Sequence, residues 1–326
     1  MTYDIYHHGD FDGRASAAML AWFLRARGDR VGRYVPIDYD EFESFLEDDF
    51  LSVRSGARRK AVLDFPFHPE ADIWFDHHDT PVRKKSWQKL LIKKLKDKNE
   101  YMAWRPEYAS ACHEVMDYMT RAKGIRPPAY LKNLAKWVDF VDGAKYKSPK
   151  EATFSRPPAL QIAYYVSTIK NRPKTLGWLT NMLRDMPLSR IVKDRRIREF
   201  LKKEKEDMDK AIVLYKERTA CNAGVACVEE TDFPVRLRLY PFVIFPKSYY
   251  GLRTYRDGKG WHLSLGWNQW HLPPVPRLHI GNLLVGFGGG GHKGVGGCEV
   301  RTKEELDRIV ESIISKIGKK NLRNSK

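Results

Sequence analysis

The stretch Ile73-Trp74-Phe75-Asp76-His77-His78 reads as a short buried strand that runs out onto a carboxylate and two imidazoles. Ala61-Val62-Leu63-Asp64 has the same form, an apolar run closing on an acid. Acids at the carboxyl ends of buried strands sit where open α/β sheets bind their ligands. A third run, Tyr3–Tyr6, ends at His7-His8 and leads into His8-Gly9-Asp10-Phe11-Asp12-Gly13, after which Ala15–Arg27 has helical composition closing at Gly28. Ser110–Lys123 carries the marks of a helix, with Ser110 as N-cap and Gly124 as its stop. From Leu188 to Arg218 the text is helical and densely charged, with Leu201, Met208, Ile212 and Tyr215 on one stripe. After Cys221 the character changes to short β-like runs. Tyr249–Tyr255, the turn Asp257-Gly258-Lys259-Gly260 and Trp261–Gly266 form a hairpin signal. Thr302–Ile317 reads as a closing helix with Thr302 and Glu305 as a capping box, and Lys319–Lys326 as a frayed tail. The expected class is α/β: a parallel-sheet domain over 1–187, a connecting helix over 188–218, and a smaller α+β domain over 219–326.

At 326 residues the chain exceeds one typical domain, and its 42% hydrophobic content supports two cores. No stretch approaches the roughly 20 apolar residues a membrane helix needs, and the start lacks an apolar signal region, so a cytoplasmic protein is expected. Cys112, Cys221, Cys227 and Cys298 show no CxxC spacing and read as free thiols. The net charge of +17 draws polyanions. Arg83–Lys98 concentrates it, with eight basic residues against one acid. That segment reads either as a solvated helix, with Leu90, Leu91, Ile92 and Leu95 as its buried side, or as a basic surface for a phosphate chain.

Asp and His together suit Mn²⁺, which accepts carboxylate oxygen and imidazole nitrogen. His8, Asp10 and Asp12 alternate along an extended segment and so share one side of the backbone, although two metals require a bend there. Gly13 permits a tight exit into a helix whose N-terminal amides favour anions. His7 competes with His8, since neighbours on a strand point oppositely and one of them can face the metals. His68 reads as a loop residue, and Asp38 and Asp40 as a turn. Near the end stands Gly286-Phe287-Gly288-Gly289-Gly290-Gly291-His292-Lys293-Gly294. It contains a formal GxGxxG, but too little chain follows for a dinucleotide-binding domain, and His292-Lys293-Gly294 excludes a P-loop. What remains is a loop whose amides can approach a phosphate.

This ordered set resembles the DHH phosphoesterase superfamily, named for the triplet at Asp76-His77-His78. The Gly288–His292 run is similar to the signature of the DHH-associated C-terminal domain. The superfamily includes single-strand exonucleases, nanoRNases, cyclic-dinucleotide phosphodiesterases and manganese pyrophosphatases, and the resemblance spans Tyr3 to about Val300. It implies that His8, Asp10 and Asp64 hold one Mn²⁺, and that Asp12, His77 and a late aspartate hold another, with Asp64 shared and Mg²⁺ the alternative ion. The late ligand falls in Trp137–Gly143, where Asp142, followed by Lys147-Ser148-Pro149, matches the pyrophosphatase branch better than Asp139 does. The family spacing selects His8 over His7. Asp76 is implied to orient an imidazole, and His78 to stand at the scissile phosphate. Gly289, Gly290, Gly291 and His292 are implied to bind the distal part of the substrate, in a cleft between the domains.

The implied activity is hydrolysis of short oligonucleotides to 5′-mononucleotides, with a hydroxide shared by the two metals as nucleophile. A polyphosphate or pyrophosphate hydrolase is the second reading, and a nucleic-acid-binding protein with an inactive metal site the third. A homodimer is left open. One departure concerns the strand before the glycine run, where such domains carry arginine in a Ser-x-Arg-Ser-like sequence. This chain has Leu263-Ser264-Leu265-Gly266-Trp267-Asn268 there, and Arg253 is the substitute to consider. The insert Trp267–Pro276 is able either to stack a base or to pack.

Overall fold

The computed structural model describes residues 1–38, 41–97, 101–154, 156–169, 176–258, 260–274 and 276–323. The chain divides into two compact units. The first comprises Met1–Lys145 and Arg156–Leu201, and the second Tyr146–Ser155 and Lys202–Lys326.

The first unit is built on five parallel strands: β1 (Thr2–His8), β2 (Arg30–Ile37), β3 (Arg59–Leu63), β4 (Ile73–Asp76) and β5 (Tyr101–Trp104). Their order is β2-β1-β3-β4-β5. The chain steps outward from β1 to β2 and then returns to β3 on the other side of β1. The order therefore reverses between β1 and β3, and such a reversal opens a crevice at the carboxyl ends of the strands. Both faces are covered, as a parallel sheet requires. On one face Ile5, Leu63 and Phe75 pack with Phe23 of the Phe11–Ala26 helix, Val115 of the Ala111–Lys123 helix and Val138 of the Ala129–Asp142 helix. On the other, Tyr6, Val62 and Trp74 pack with Phe45, Phe50 and the Lys85–Lys96 helix through Trp87 and Leu91. Ile92, expected on the buried side of that helix, is 49% exposed. Five residues on from Trp87, it lies well off the Trp87–Leu91–Leu95 stripe. Lys85, Lys89, Lys93 and Lys96 are also exposed, and Lys98 and Asp40 lie outside the described residues.

Two further expectations shift. The helix expected over 188–218 is a short turn, Leu188–Ile191, followed by the helix Arg195–Arg218. Its stripe serves two cores: Leu201 packs in the first unit, and Met208, Ala211, Ile212 and Tyr215 pack in a cluster of the second. Residues 146–155, expected with the first domain, group with the second unit, where Trp270 Nε1 donates to the Tyr146 carbonyl at 2.8 Å and Phe154 packs on Tyr240.

The second unit holds a six-stranded mixed sheet: β6 (Ala220–Asn222), β7 (Val225–Glu229), β8 (Tyr250–Asp257), β9 (Gly260–Trp267), β10 (Gly290–Gly291) and β11 (Val295–Val300). The order is β10-β11-β9-β8-β7-β6. The expected hairpin is β8–β9, with register from Tyr250↔Trp267 to Asp257↔Gly260, and Lys259 in its turn lies outside the described residues. The last helix runs Lys303–Arg323 with Thr302 Oγ1 accepting from Glu305 N. It continues through most of the expected frayed tail, because Ile313 and Ile317 extend its buried side. The four cysteines are unpaired, and among the described residues no helix is long and apolar enough to cross a membrane.

Candidate metal centre

β1 delivers His8 to the crevice and then stops. His7 is fully buried, with Nδ1 2.6 Å from the His8 carbonyl oxygen, and burial first, then the Arg14 charge, hold its pKa down to about 3. His8 faces the cluster instead. Its Nδ1 lies 3.1 Å from Asp10 Oδ2 and 3.7 Å from Asp64 Oδ2. The extended alternation expected through Asp12 ends here, since Asp10 becomes the N-cap of the Phe11–Ala26 helix and Asp12 enters its first turn. Asp10 Oδ1 accepts from Gly13 N at 3.0 Å, supplying the cap that unsatisfied helix N–H groups call for. Gly13 is demanded by this bend: a Cβ there would meet the His8 carbonyl oxygen at 2.2 Å. Asp12 then reaches the start of the Ala111–Lys123 helix, where it accepts from Ala111 N at 2.7 Å and Cys112 N at 2.9 Å. That contact ties the first motif to a helix far along the chain.

Asp64 follows β3 with φ 54°, one of three described non-glycine residues at positive φ. Its own N–H donates to the Phe75 carbonyl at 2.9 Å, which fixes the turn. Aspartate tolerates the left-handed region better than most residues, and such conformations cluster at functional sites. His77, after β4, presents Nε2 to three acids at once: Asp142 Oδ2 at 3.4 Å, and Asp12 Oδ2 and Asp64 Oδ1 at 3.5 Å each. Its Nδ1 is held at 3.2 Å by the Tyr108 carbonyl oxygen, which leaves Nε2 as the ligating nitrogen. Asp142 comes from the end of the Ala129–Asp142 helix.

Apart from His8–Asp10, these separations are long for good hydrogen bonds but match the edges of a coordination polyhedron with bonds of roughly 2.0–2.2 Å. Asp64 Oδ2 and His77 Nε2 are buried without a hydrogen-bond partner among the described residues. Two sets of donor atoms, His8–Asp10–Asp64 and Asp12–His77–Asp142, each fall within 4.8 Å, and Asp64 recurs in a third set with His77 and His78. The electrostatics agree. Burial, then Asp64 and Asp142, push Asp12 well above the usual carboxylate range. Burial, then Asp64 and Asp10, raise Asp142 to about 7. Burial opposes charge on His8 and His77, yet Asp10 and Asp64 carry His8 up to about 12, and Asp64 and Asp12 carry His77 to about 10. Four acids crowded together, Asp12 and Asp64 buried and Asp10 and Asp142 toward solvent, fit divalent cations, and the residues present suit two of them.

Around this cluster stand groups that hold it. Asp76, fully buried, places Oδ1 2.7 Å from His78 Nδ1 and raises its pKa, so the outer edge of a 41% exposed imidazole is free to meet substrate. Asp139 is not among the donor sets. Its Oδ1 accepts from Ser110 Oγ at 2.5 Å and its Oδ2 meets His113 Nδ1 at 2.5 Å. His68 is a buried loop residue, with Nε2 3.0 Å from the Glu47 carbonyl oxygen. Three features escape the sequence reading. Asp38 carries the expected turn, its carbonyl accepting from Glu41 N at 3.0 Å, and it also places Oδ1 3.7 Å from His8 Nε2; the apolar ending of β2 is the only signal of that second contact. Glu114, 1% exposed, is raised to about 9 by burial and then by Asp76. The Ser110–Asp139–His113 set joins separated segments that no local pattern links.

The glycine run lies in the second unit. Much of it is required by backbone packing: a Cβ on Gly289 would meet the Gly297 carbonyl oxygen at 2.3 Å, and one on Gly291 the Gly296 Cα at 2.4 Å. Gly290 differs, with no atom within 4 Å of a projected Cβ. His292 and Lys293 beside it are exposed. Arg253 is not a free substitute for the missing arginine. It is bound by both oxygens of buried Glu230, at 2.9 Å each. In the insert, Trp267 packs on Gly294 and Asn268 Nδ2 donates to the Pro246 and Ser248 carbonyls, so these residues pack. Val275 lies outside the described residues.

No family model matches this sequence, and no curated protein matches it. Solved structures do. A pGpG-specific phosphodiesterase, PggH, from Vibrio cholerae superposes with TM-score 0.73 at 15% identity, covering 97% of this chain and 98% of that one. An exopolyphosphatase-related protein from Bacteroides fragilis gives TM-score 0.55 at 16% identity, over 98% and 93%. The DHH domain of a protein described as a member of the S1p family of ribosomal proteins gives 0.55 at 14%, over 96% and 86%. At such identities the likeness establishes the fold: this chain shares the fold of these solved structures, one of them a DHH domain.

Proposed function

We propose that this chain is a cytoplasmic, divalent-cation-dependent phosphoesterase that hydrolyses phosphodiester bonds of short oligonucleotides to 5′-mononucleotides. The observation that carries the reading is the pair of donor sets sharing one crevice, His8–Asp10–Asp64 and Asp12–His77–Asp142. Two cations held there, Mn²⁺ by preference for mixed carboxylate and imidazole ligands, supply charge neutralisation at the phosphate and a water acidified toward neutrality. The chain's own residues do the rest. Asp64, 3.7 Å from His8 and 3.5 Å from His77, is assigned to both halves of the centre, and Asp76 is assigned to fix His78 so that its exposed edge stabilises the phosphate or protonates the leaving oxygen. Purified protein with Mn²⁺ should be offered short RNA, short DNA, cyclic dinucleotides and polyphosphate in parallel. Release of 5′-mononucleotides from the short oligonucleotides is expected. Cleavage of polyphosphate alone would favour the second reading, for which the likeness to the exopolyphosphatase-related protein speaks.

The late ligand is tested by a pair of variants. Asp142→Asn should lower activity far more than Asp139→Asn and should weaken binding of one ion, measured by calorimetry with Mn²⁺. The reverse ranking would transfer the role to Asp139.

We also assign Gly289, Gly290, Gly291 and His292 to binding the part of the substrate remote from the reacting bond. Gly290→Ala has room for its methyl group and should leave thermal stability unchanged. With His292→Ala it should mainly raise KM for oligonucleotides, because remote binding contributes affinity more than turnover. Loss of a charge-assisted hydrogen bond costs roughly 1.5–3 kcal/mol, about ten- to a hundredfold in kcat/KM. Unchanged KM in both variants would remove the loop from the binding site.

A further inference from the structure

The first unit holds a second imidazole mounted in the same way as His78. His113 Nδ1 meets Asp139 Oδ2 at 2.5 Å, as His78 Nδ1 meets Asp76 Oδ1 at 2.7 Å. Both carboxylates are more buried than the rings they hold: the side chain of Asp139 is 16% exposed and that of His113 34%. We propose that His113 is a substrate-contacting residue whose Nε2 meets a second anionic group of the substrate, on the Asp142 side of the centre as His78 is on the Asp64 side. This rests on the phosphoesterase reading above.

Several observations carry it. The carboxylate of Asp139 is immobilised through both oxygens, since Oδ1 accepts from Ser110 Oγ and Ser110 is itself the buried N-cap of the Ala111–Lys123 helix. With Nδ1 committed, Nε2 is the nitrogen left to meet a ligand. The ring also packs edge-on against Tyr108, with centroids 5.3 Å apart, and the Tyr108 carbonyl oxygen is the partner of His77. Asp139 lies one turn before Asp142 on the same helix. His113 is therefore joined to the centre through two short routes, one by way of His77 and one by way of Asp142. Asp139 raises the pKa of the ring, Asp117 adds to that effect, and Lys145 opposes it. An imidazole so held can donate from its remaining nitrogen to an anionic oxygen, as His78 is placed to do. A His78-type mount on each side of the cluster suits a substrate with two phosphoryl groups, such as a dinucleotide bearing a 5′-phosphate.

The test compares a 5′-phosphorylated dinucleotide with the same dinucleotide lacking that phosphate. Wild type should prefer the phosphorylated form. His113→Gln should lower kcat/KM for it by about ten- to a hundredfold, mainly through KM, and abolish most of the preference. Asp139→Asn should act in the same direction, and the double variant should be no worse than His113→Gln alone, because Asp139 acts through the ring. Metal content should match wild type in both, since neither residue is a ligand. If His113→Gln keeps the wild-type kcat/KM and preference, the proposal is overturned. Equal losses on both dinucleotides together with a lowered melting temperature would also overturn it, in favour of a structural role. Should wild type hydrolyse neither dinucleotide, the phosphoesterase reading falls. Calorimetric binding of the two dinucleotides then decides for His113, and equal affinities in wild type and His113→Gln count against it.

Discussion

Asp64→Ala is expected to be the most damaging single substitution in the protein, lowering turnover by about a thousandfold or more, roughly 4 kcal/mol in the barrier. Three features converge on this residue. It is almost wholly buried, it recurs in two of the three donor sets, and its carboxylate lies between His8 and His77. Burial alone would raise its pKa, yet His77 and His8 together hold it below the usual range. A carboxylate kept ionised at that depth is available to two cations without a proton to displace. Removing it should therefore weaken both ions, whereas loss of Asp10 or Asp142 should weaken one. The backbone adds a control: with φ 54° at this position, Asp64→Asn keeps a residue suited to the left-handed region. Asp64→Asn should thus still fold in the metal-free protein, with the backbone at this position unstrained, while losing activity nearly as fully as alanine. Near-normal turnover of Asp64→Ala with two ions bound would remove Asp64 from its shared role.

Removal of the cations should abolish hydrolysis entirely, with Mn²⁺ restoring it better than Ca²⁺, since imidazole ligands and a compact site disfavour Ca²⁺. Full activity in excess chelator would end the metal mechanism. The same removal should leave a pH signature in stability. Asp142 is raised to about 7 in the fold, against about 3.9 unfolded, and Asp12 is raised in the same sense. An acid with a raised folded pKa contributes stability in full below its unfolded pKa and loses it as pH climbs through the folded one. His8, at about 12, and His77, at about 10, start from about 6.5 unfolded. A base with a raised folded pKa likewise stabilises fully below its unfolded pKa and loses that contribution as pH rises toward the folded one. Asp64 has the opposite sense, but its contribution is lost only as pH falls below the unfolded carboxylate pKa. Across about pH 5 to 9 the metal-free fold should therefore weaken. Mn²⁺ should flatten that slope and release protons on binding. Melting temperatures taken across this range, with and without Mn²⁺, give the check, and a metal-free curve that rises with pH would contradict the account.

Much of the architecture is legible in the sequence because the signals are local. The apolar runs ending at His8, Asp64 and Asp76 announce strands with acids at their carboxyl ends, and Ser110 and Gly124 bracket their helix as their chemistry dictates. What stays hidden depends on bends and on contacts between distant segments. The passage of Asp10 and Asp12 from strand into helix is invisible to period-two reasoning, because Asp10 becomes a cap only once the chain has turned. The pairing of Asp139 with Ser110 and His113 joins two helices, and the spacing within either gives no sign of it. Arg253 looks available on its strand because Glu230, its partner, lies on another stretch of chain. The outward position of Ile92 follows from helical phase, which a composition-based reading overlooks.

The contact of Asp12 with the N–H groups of Ala111 and Cys112 bears on the order in which the molecule assembles. A carboxylate from the first turn of the first helix seats the start of a helix that comes after all five strands of the sheet. The centre therefore cannot exist in a partly made chain. A nascent polypeptide released only as far as β5 would own His8, Asp10, Asp12, Asp64 and His77, but neither the amides that aim Asp12 nor Asp142. Cations that bind only the finished arrangement would act as a late clamp, drawing the equilibrium toward the native state as their concentration exceeds their dissociation constant. Long-range closure of this kind is slow compared with local helix formation. The cell's supply of divalent ions would then govern how much of the protein is native as well as how fast it works.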